Sequence, residues 1–593
     1  MLHILESPTN NRFILALTLI VVYLTLRLSN LILRTYRARQ RWLDIPGLPR
    51  HPMWGHLINM GEKLNPALNR HPDYAFEQVW DSLGRPDAFL MDMEPVDRCF
   101  LIVADPTVSE ALVQPTSQFK YSAPKSDTLK TMHRLVGLES LIIAEGEEWK
   151  NLRKRFNRGF APSHLHSLDP LIISKTRIFV DRLKASAEKD EVFPLKRYTQ
   201  DLTTDIITEL TIEKDFQAQS LPEGEGHKGP LGMLTASRLL STLVFKLGQG
   251  FNPLHYIDPV RPTKSWFYEQ VYNHELARVI RQQISAEQTS PDNGNMKPPK
   301  DSPQKTQQKS ITRLALSGLT PSRGLIRNTV SQIKSFLFAG QDTTATMIQW
   351  LCFELSKASW SEPHAAILSQ LVAEHDAVFG QGDNGHQFDA LDILGREDDE
   401  GRREAEAILG HKLPYTSAFI KESLRLHPPA STARYIPEIS SDNPTAVNVV
   451  LRTSSSPSAE KREVNINGLR IYCAQYLIHR NPAVWGADAH IFRPERWLDD
   501  HYTASLPTGA WRPFERGPRN CIGQELAMIE AKVVMCAVVR GFSWEKVGMS
   551  GRVEVEGIPK GDGTDHPDRE VWSLNQVTSV PVDGMRMRVK LKQ

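Results

Sequence analysis

The chain has 593 residues, 40% of them hydrophobic and 24% charged, which excludes a disordered chain and is ample for a large buried core. Lys and Arg number 71 against 69 Asp and Glu, a net charge of +2, so no basic excess points to nucleic acid. The five cysteines, Cys99, Cys352, Cys473, Cys521 and Cys536, are odd in number and nowhere spaced as C-x-x-C, which argues against a disulfide framework or zinc ribbon and for a reducing compartment.

From the N-terminus, Phe13 to Leu26 is apolar or hydroxyl-bearing throughout, and beyond Arg27 the apolar character continues to Leu33. About 20 such residues cross a bilayer, so a transmembrane helix is expected over about 13–33, with Arg27 snorkelling toward an interface. Arg34, Arg37, Arg39 and Arg41 follow and place that flank on the cytosolic side. A cleaved signal peptide fits less well, because no small-residue cleavage site follows and the n-region has no cluster of positive charge. The chain is thus expected to divide into an anchor, residues 1–44, and a single large domain, 45–593. Pro46, Pro49 and Pro52 predict a stiff, non-helical linker at the junction.

Gly146 to Phe156 reads as a helix with Trp149 and Arg153 four apart on one face. Lys150, Lys154 and Arg158 form a second, basic stripe, which is either a solvated face or a docking surface for an acidic partner. Gly224 to Gly229 matches G-x-G-x-x-G, but no buried strand precedes it and Pro230 follows, so a loop is predicted rather than a dinucleotide site. His274-Glu275 has Arg278 where the zincin pattern needs its second histidine. Polar stretches at about 285–310, 382–403 and 440–462 are predicted to be surface insertions and not domain boundaries.

Val330 to Leu355 is long, mostly apolar and free of proline, which predicts a helix through the core. In its middle lies Ala339-Gly340-Gln341-Asp342-Thr343-Thr344. Gly costs a helix about 1 kcal/mol against Ala, and Thr is β-branched, so a purely structural helix has no reason to gather them there. Two readings stay open: a kinked core helix with a capped polar patch, or a functional surface where Gly340 admits a close approach and Thr343 stands in a widened turn.

Leu413-Pro414-Tyr415 opens a further helix with Glu422 and Arg425 three apart, ended by Leu426-His427-Pro428-Pro429. Phe492-Arg493-Pro494-Glu495-Arg496-Trp497 follows downstream. Then comes Phe514-Glu515-Arg516-Gly517-Pro518-Arg519-Asn520-Cys521-Ile522-Gly523, a cysteine in a tight turn ahead of a helical run, Gln524 to Met535. Amide N–H groups in such a turn aim at the sulfur, and a helix N-terminus lowers a thiol's pKa, so Cys521 is predicted to be held as a thiolate metal ligand.

Phe514, Gly517, Arg519, Cys521 and Gly523 resemble the haem-binding signature Phe-x-x-Gly-x-Arg-x-Cys-x-Gly of the cytochrome P450 family, and the chain is similar above all to membrane-bound fungal members. The resemblance implies a mainly α fold with a small β-rich subdomain, in one catalytic domain behind an N-terminal anchor. It implies haem b, with Cys521 as the proximal iron ligand, Phe514 packed beside the sulfur, Gly523 in the same loop, and Arg519, Trp149, Arg153 and Arg434 toward the haem propionates. It implies that Asp342 and Thr343 supply protons for oxygen activation, that Phe338, Ala339, Gly340 and Ala430 to Ala433 line the substrate pocket, and that Glu422, Arg425 and Arg496 form a buried network under the cysteine loop. The activity implied is monooxygenation of a lipophilic small molecule, as in fungal secondary metabolism, with an apolar pocket expected from Phe338 to Thr344 and Ser122 to Leu141. Electrons would come from NADPH through a separate flavoprotein reductase, and the protein would sit in the endoplasmic reticulum membrane as a single-pass protein facing the cytosol. Two other readings share the ligand loop: a non-enzymatic haem-thiolate sensor and a reductase-independent rearranging enzyme. Both would tend to lack the Asp342-Thr343 pair.

Overall fold

The computed structural model describes residues 8–592 apart from 65–68, 222–231, 246–259, 290–308, 381–389, 442, 455, 457–458, 548–570 and 575. The G-x-G-x-x-G stretch lies outside the described residues. The helices that build the site are α1 (Pro8–Gln40), α2 (Gly146–Asn157), α3 (Asp169–Glu188), α4 (Leu195–Ile212), α5 (Val260–Thr289), α6 (Arg323–Ser356), α7 (Pro414–Leu426) and α8 (Gln524–Val538). The strands are β1 (Ala88–Met91), β2 (Phe100–Val103), β3 (Phe193–Pro194), β4 (Thr432–Tyr435), β5 (Asn448–Arg452), β6 (Lys461–Asn465), β7 (Arg470–Cys473), β8 (Phe542–Lys546) and β9 (Arg586–Leu591).

The strands form three small sheets. In the four-stranded one, ordered β1-β2-β7-β4, the parallel β2/β7 pair sets Phe100 against Arg470, and β4 runs antiparallel to β7 with Thr432 opposite Cys473. The second is β3-β9-β8, and the third is the hairpin β5-β6. A large apolar cluster fills the helical part, and smaller clusters back the four-stranded sheet. Helix α6 runs through the large cluster and is buried almost continuously from Thr344 to Ser356. It needs a residue without Cβ where α4 crosses it: a methyl group on Gly340 would lie 2.7 Å from Ile207 Cγ1.

Several expectations change in detail. Helix α1 is longer than 13–33, and its 24-residue stretch Ile14–Arg37, whose most apolar 18-residue window has a mean hydropathy of 1.9, is long and apolar enough to cross a membrane. Arg27 within it donates to the Tyr23 hydroxyl at 2.9 Å. The proline-rich junction is non-helical, as expected, and is docked on the domain, with Leu90 N–H reaching the Pro46 carbonyl at 2.7 Å. Trp42 and Ile45 belong to the sheet-side core, and Arg39 pairs with buried Asp92 at 2.7 Å, so packing begins inside the segment assigned to the anchor. The stretch 382–403 is less superficial than its composition implies, because Ala390, Leu391 and Leu394 enter the main core. Likewise 440–462 contains β5 and the start of β6, whose Val449 and Leu451 turn inward. The last turn of α5 extends past Ser285 to Thr289.

Candidate active site

The cysteine loop is shaped by positions that tolerate few alternatives. Gly517 has φ +71°, and a Cβ there would run into the carbonyl oxygen of Val113. The loop closes when Cys521 N–H donates to Phe514 C=O at 2.8 Å, and α8 starts directly after Gly523. Arg153 of α2 holds the loop from the other side, giving Nη1–H to the Asn520 carbonyl at 2.7 Å and Nη2–H to Asn520 Oδ1 at 2.9 Å.

Cys521 lies deep in the protein, but its accessible surface faces an internal cavity of about 320 Å³. Trp149, Arg153, Phe514, Arg519, Gly523, Leu526 and Ala527 line it near the loop, and Ala339, Gly340, Thr343, Thr344 and Met347 of α6 line another side. Burial pushes the Cys521 thiol up from its ordinary pKa, and the N–H of Gly523 with the charges of Arg153 and Lys125 offsets only part of that. A thiolate held by the loop and helix terminus alone is therefore not what the bare chain provides. A bound metal ion would supply the charge that deprotonates the sulfur.

One end of the cavity is rich in cations. Arg519 crosses the Trp149 ring at 5.3 Å, donates to the Ala144 carbonyl at 2.6 Å and pairs with Glu145. Arg434 sits behind this wall rather than on it, with Nη1–H toward Ser122 Oγ and Ala123 C=O, both at 3.2 Å. Its Nε and Nη2 are buried and make no hydrogen bond. Lys125, bridged through its backbone to Arg434, lines the cavity, and burial followed by repulsion from Arg434 and Arg519 drives its ammonium well below the ordinary lysine range. Buried cations with unused donors call for an anionic group, and the carboxylates of a haem meet that need while its iron meets the sulfur. Lys125 escaped the sequence reading; its only signal was its place in the Ser122 to Leu141 stretch.

The other predicted residues divide. Ala430 lines the cavity together with Ser431 and Thr432, whereas Ala433 and Phe338 do not; Phe338 packs against the main helical core. Asp342 is also absent from the cavity wall. Its Oδ1 accepts from Gln200 Nε2 at 3.0 Å and its Oδ2 from the Thr578 hydroxyl. Thr343 does face the cavity, but in a regular α-helical turn, donating its hydroxyl to the Ala339 carbonyl at 2.6 Å, so no widened turn is present.

Beneath the loop, Glu422 receives Arg425 Nε–H at 2.9 Å, Arg496 Nε–H at 2.9 Å, Trp497 Nε1–H at 2.9 Å and the Arg493 backbone N–H at 2.9 Å. Arg425 also binds the carbonyls of His479, Ala489 and Ile491. His479 continues the network: one ring nitrogen contacts the Arg425 carbonyl at 2.9 Å, and the other accepts the Arg512 N–H at 3.0 Å, two residues before Phe514. Glu422, Arg425 and Arg496 are thereby coupled to the ligand loop through a histidine that the sequence reading left out.

The cytochrome P450 family profile matches residues 45–441 and 462–556. The chain belongs to the cytochrome P450 family. The break in the match falls on the polar stretch that carries β5. Among curated relatives, cytochrome P450 monooxygenase polC of Polytolypa hystricis is 28% identical over 86% of this chain and 83% of its own length, and cytochrome P450 monooxygenase acrF of Aspergillus aculeatus is 27% identical over 88% and 98%. Among solved structures, the cytochrome P450DA heme domain superposes with a TM-score of 0.63 at 17% identity, covering 93% of this chain and 98% of that one, which shows the shared P450 fold. The family is one of haem-binding oxidoreductases.

Proposed function

We propose that this P450 inserts one oxygen atom from O2 into a lipophilic small molecule, in fungal secondary metabolism, using electrons from NADPH delivered by a separate flavoprotein reductase. The observation that carries the reading is one cavity with Cys521 at its base, a cation-rich end, and the Ala339–Thr344 stretch on another wall. Leu141, Ile142, Phe160, Ile207, Phe336 and Leu424 make most of the remaining wall apolar, beside the polar Ser335, Gln475 and Glu530, which favours a largely apolar substrate. When bound, the haem supplies the oxygen chemistry. Cys521 would offer the sulfur ligand, while Lys125 and Arg519 would hold the anionic edge, backed by Arg434 behind the wall, with Trp149 and Arg153 beside them. Thr343 offers a hydroxyl at the cavity surface, and Asp342 stands behind it as the acid. Helix α1 tethers the protein to the endoplasmic reticulum membrane, with the catalytic domain on the cytosolic side.

The test uses the purified haem-loaded full chain. Its ferrous carbon monoxide spectrum is expected to show thiolate ligation, and Cys521→Ala is expected to lose that band. With reductase, NADPH and a probe panel of lauric acid, testosterone and 7-ethoxycoumarin under ¹⁸O2, at least one product is expected to carry a single labelled oxygen. A thiolate spectrum without reductase-driven product from any probe or fungal extract fraction would point to the sensor; conversion of hydroperoxides alone, without reductase, would point to the rearranging enzyme.

A further inference from the structure

The two signature residues on α6 face different ways. Thr343 borders the cavity, with its hydroxyl hydrogen committed to Ala339 and its lone pairs left to accept. Asp342 instead looks into a seam between α4 and the segment before β9. There Gln200 and Thr578 each donate to one of its oxygens. Asp201 of α4 gathers three cations of its own, Arg197 of α4, Arg182 of α3 and Arg238, and none of these ion pairs involves Asp342. Among the described residues, the contacts that orient Asp342 are therefore these two neutral donors.

Thr578 is itself held firmly. Its carbonyl accepts the Val580 N–H at 2.8 Å, the next residue's N–H reaches the Pro429 carbonyl at 2.8 Å, and Trp350 Nε1–H of α6 reaches the Ser579 carbonyl at 3.3 Å. Thr578 is 1% exposed, while the residue before it in the chain, Val577, is 38% exposed, so the buried threonine follows directly on a surface residue.

We propose that Thr578 is the proton-input residue of this site, and that Gln200 opposes it to fix the Asp342 carboxylate. The proposal rests on the monooxygenase reading. In the step, the Thr578 O–H bond breaks as a bond from that hydrogen to Asp342 Oδ2 forms, and Thr578 Oγ takes a proton from a hydronium ion arriving from the solvent side, which departs as water. One proton moves inward and no electrons change hands. Asp342 then holds the proton that the cavity consumes. Thr578 and Gln200 position and supply Asp342; neither touches substrate.

Two measurements on the full haem-loaded chain test this. The first is a thermal-unfolding cycle of Thr578→Val, Asp342→Asn and the double variant, which does not depend on turnover. Residues in direct contact couple, so the double variant is expected to lose clearly less than the sum of the singles. Additive shifts would overturn the proposal. The second compares wild type, Thr578→Val and Thr578→Ser with the best-converted member of the probe panel. Thr578→Val is expected to cut product formed per NADPH on the order of tenfold and to change the solvent isotope effect on reductase-driven turnover. Thr578→Ser, which keeps the hydroxyl, should restore both, and peroxide-driven turnover should be spared in all three. Coupled unfolding with an unchanged isotope effect and unchanged product yield would show a structural contact only and overturn the proton role. A wild type that keeps its thiolate spectrum but oxygenates nothing would overturn the monooxygenase reading, and this proposal with it.

Discussion

Two buried histidines, His479 and His375, are kept neutral by their surroundings. The contact from Arg512 N–H to a His479 ring nitrogen requires that nitrogen to accept, so the other nitrogen carries the hydrogen and gives it to the Arg425 carbonyl. Burial, then the positive charge of Arg425, drives the His479 pKa well below the usual range. His375 is pushed down to about 3 by burial and then by Arg540 and Lys592, with its Nε2 at 2.9 Å from Thr416 Oγ. Unfolding releases both to an ordinary pKa of about 6.5. A folded pKa below the unfolded one means that the unfolded state binds more protons between the two values. The stability contributed by each neutral histidine is therefore present above about pH 6.5 and is lost as pH falls toward the folded value. Each adds up to about 1.4 kcal/mol per pH unit to the acid loss. His375→Gln should flatten the fall of unfolding free energy between about pH 6 and pH 4 by that amount, read from urea titrations at stepped pH. An unchanged slope would mean that His375 is already protonated in the folded protein.

At the scale of helices, the crossing of α4 and α6 at Gly340 is the tightest demand on the site. Gly340→Ala would place a methyl group 2.7 Å from Ile207 Cγ1 and 2.9 Å from its Cδ1, both on a residue that lines the cavity. Overpacking of this kind costs about 1–3 kcal/mol, so the variant should melt lower and bind probe substrates more weakly. Adding Ile207→Ala should recover part of both; no recovery would show that the strain lies elsewhere. The glycine could be singled out from the sequence because it sits where a helix interior penalises it. Its partner could not, since Ile207 looks like any apolar residue of a buried helix. The same limit explains Asp342. Periodicity fixes which helix carries it, but its orientation comes from Gln200 and Thr578, which lie 142 and 236 residues away in the chain. It also explains Lys125 and His479, whose roles depend on which distant groups bury them. Glu422 and Arg425 were legible because their spacing is local, and Arg496, 74 residues from Glu422, because it sits in a motif of its own. The hairpin in 440–462 was not, because β5 and β6 are dominated by polar outward residues and only Val449, Leu451 and Val464 give an inward signal.

For the molecule as a whole, the anchor and the catalytic domain meet through a clamp. Arg39 pairs with Asp92 and reaches the Glu94 carbonyl at 3.2 Å, while Arg50 caps the end of α1 by donating to the carbonyls of Arg39 at 2.7 Å and Trp42 at 2.9 Å. With α1 in a membrane as proposed, a tether fixed in this way would limit how the domain tilts over the bilayer, and so which surfaces would remain open to a redox partner. Helix α2 offers such a surface. Arg153 reaches inward to the cysteine loop, whereas Lys150, Lys154 and Arg158 are exposed. Lys150 is partly neutralised by Glu147 at 3.9 Å, which leaves Lys154 and Arg158 as the stronger cations of the stripe. Because Arg153 and Lys154 are adjacent, a donor docked on the stripe lies one helix thickness from the loop that holds Cys521. An acidic partner would be steered there by charge, and steering between exposed groups is screened over about 8–10 Å at physiological salt. Reversing Lys154 and Arg158 to Glu should therefore slow reductase-driven turnover several-fold at low salt, with the difference shrinking as salt is raised. Peroxide-driven turnover, which needs no partner, should be unchanged. Equal losses in the two assays would place the damage in the cysteine loop, through Arg153, and would rule out the stripe as the docking face.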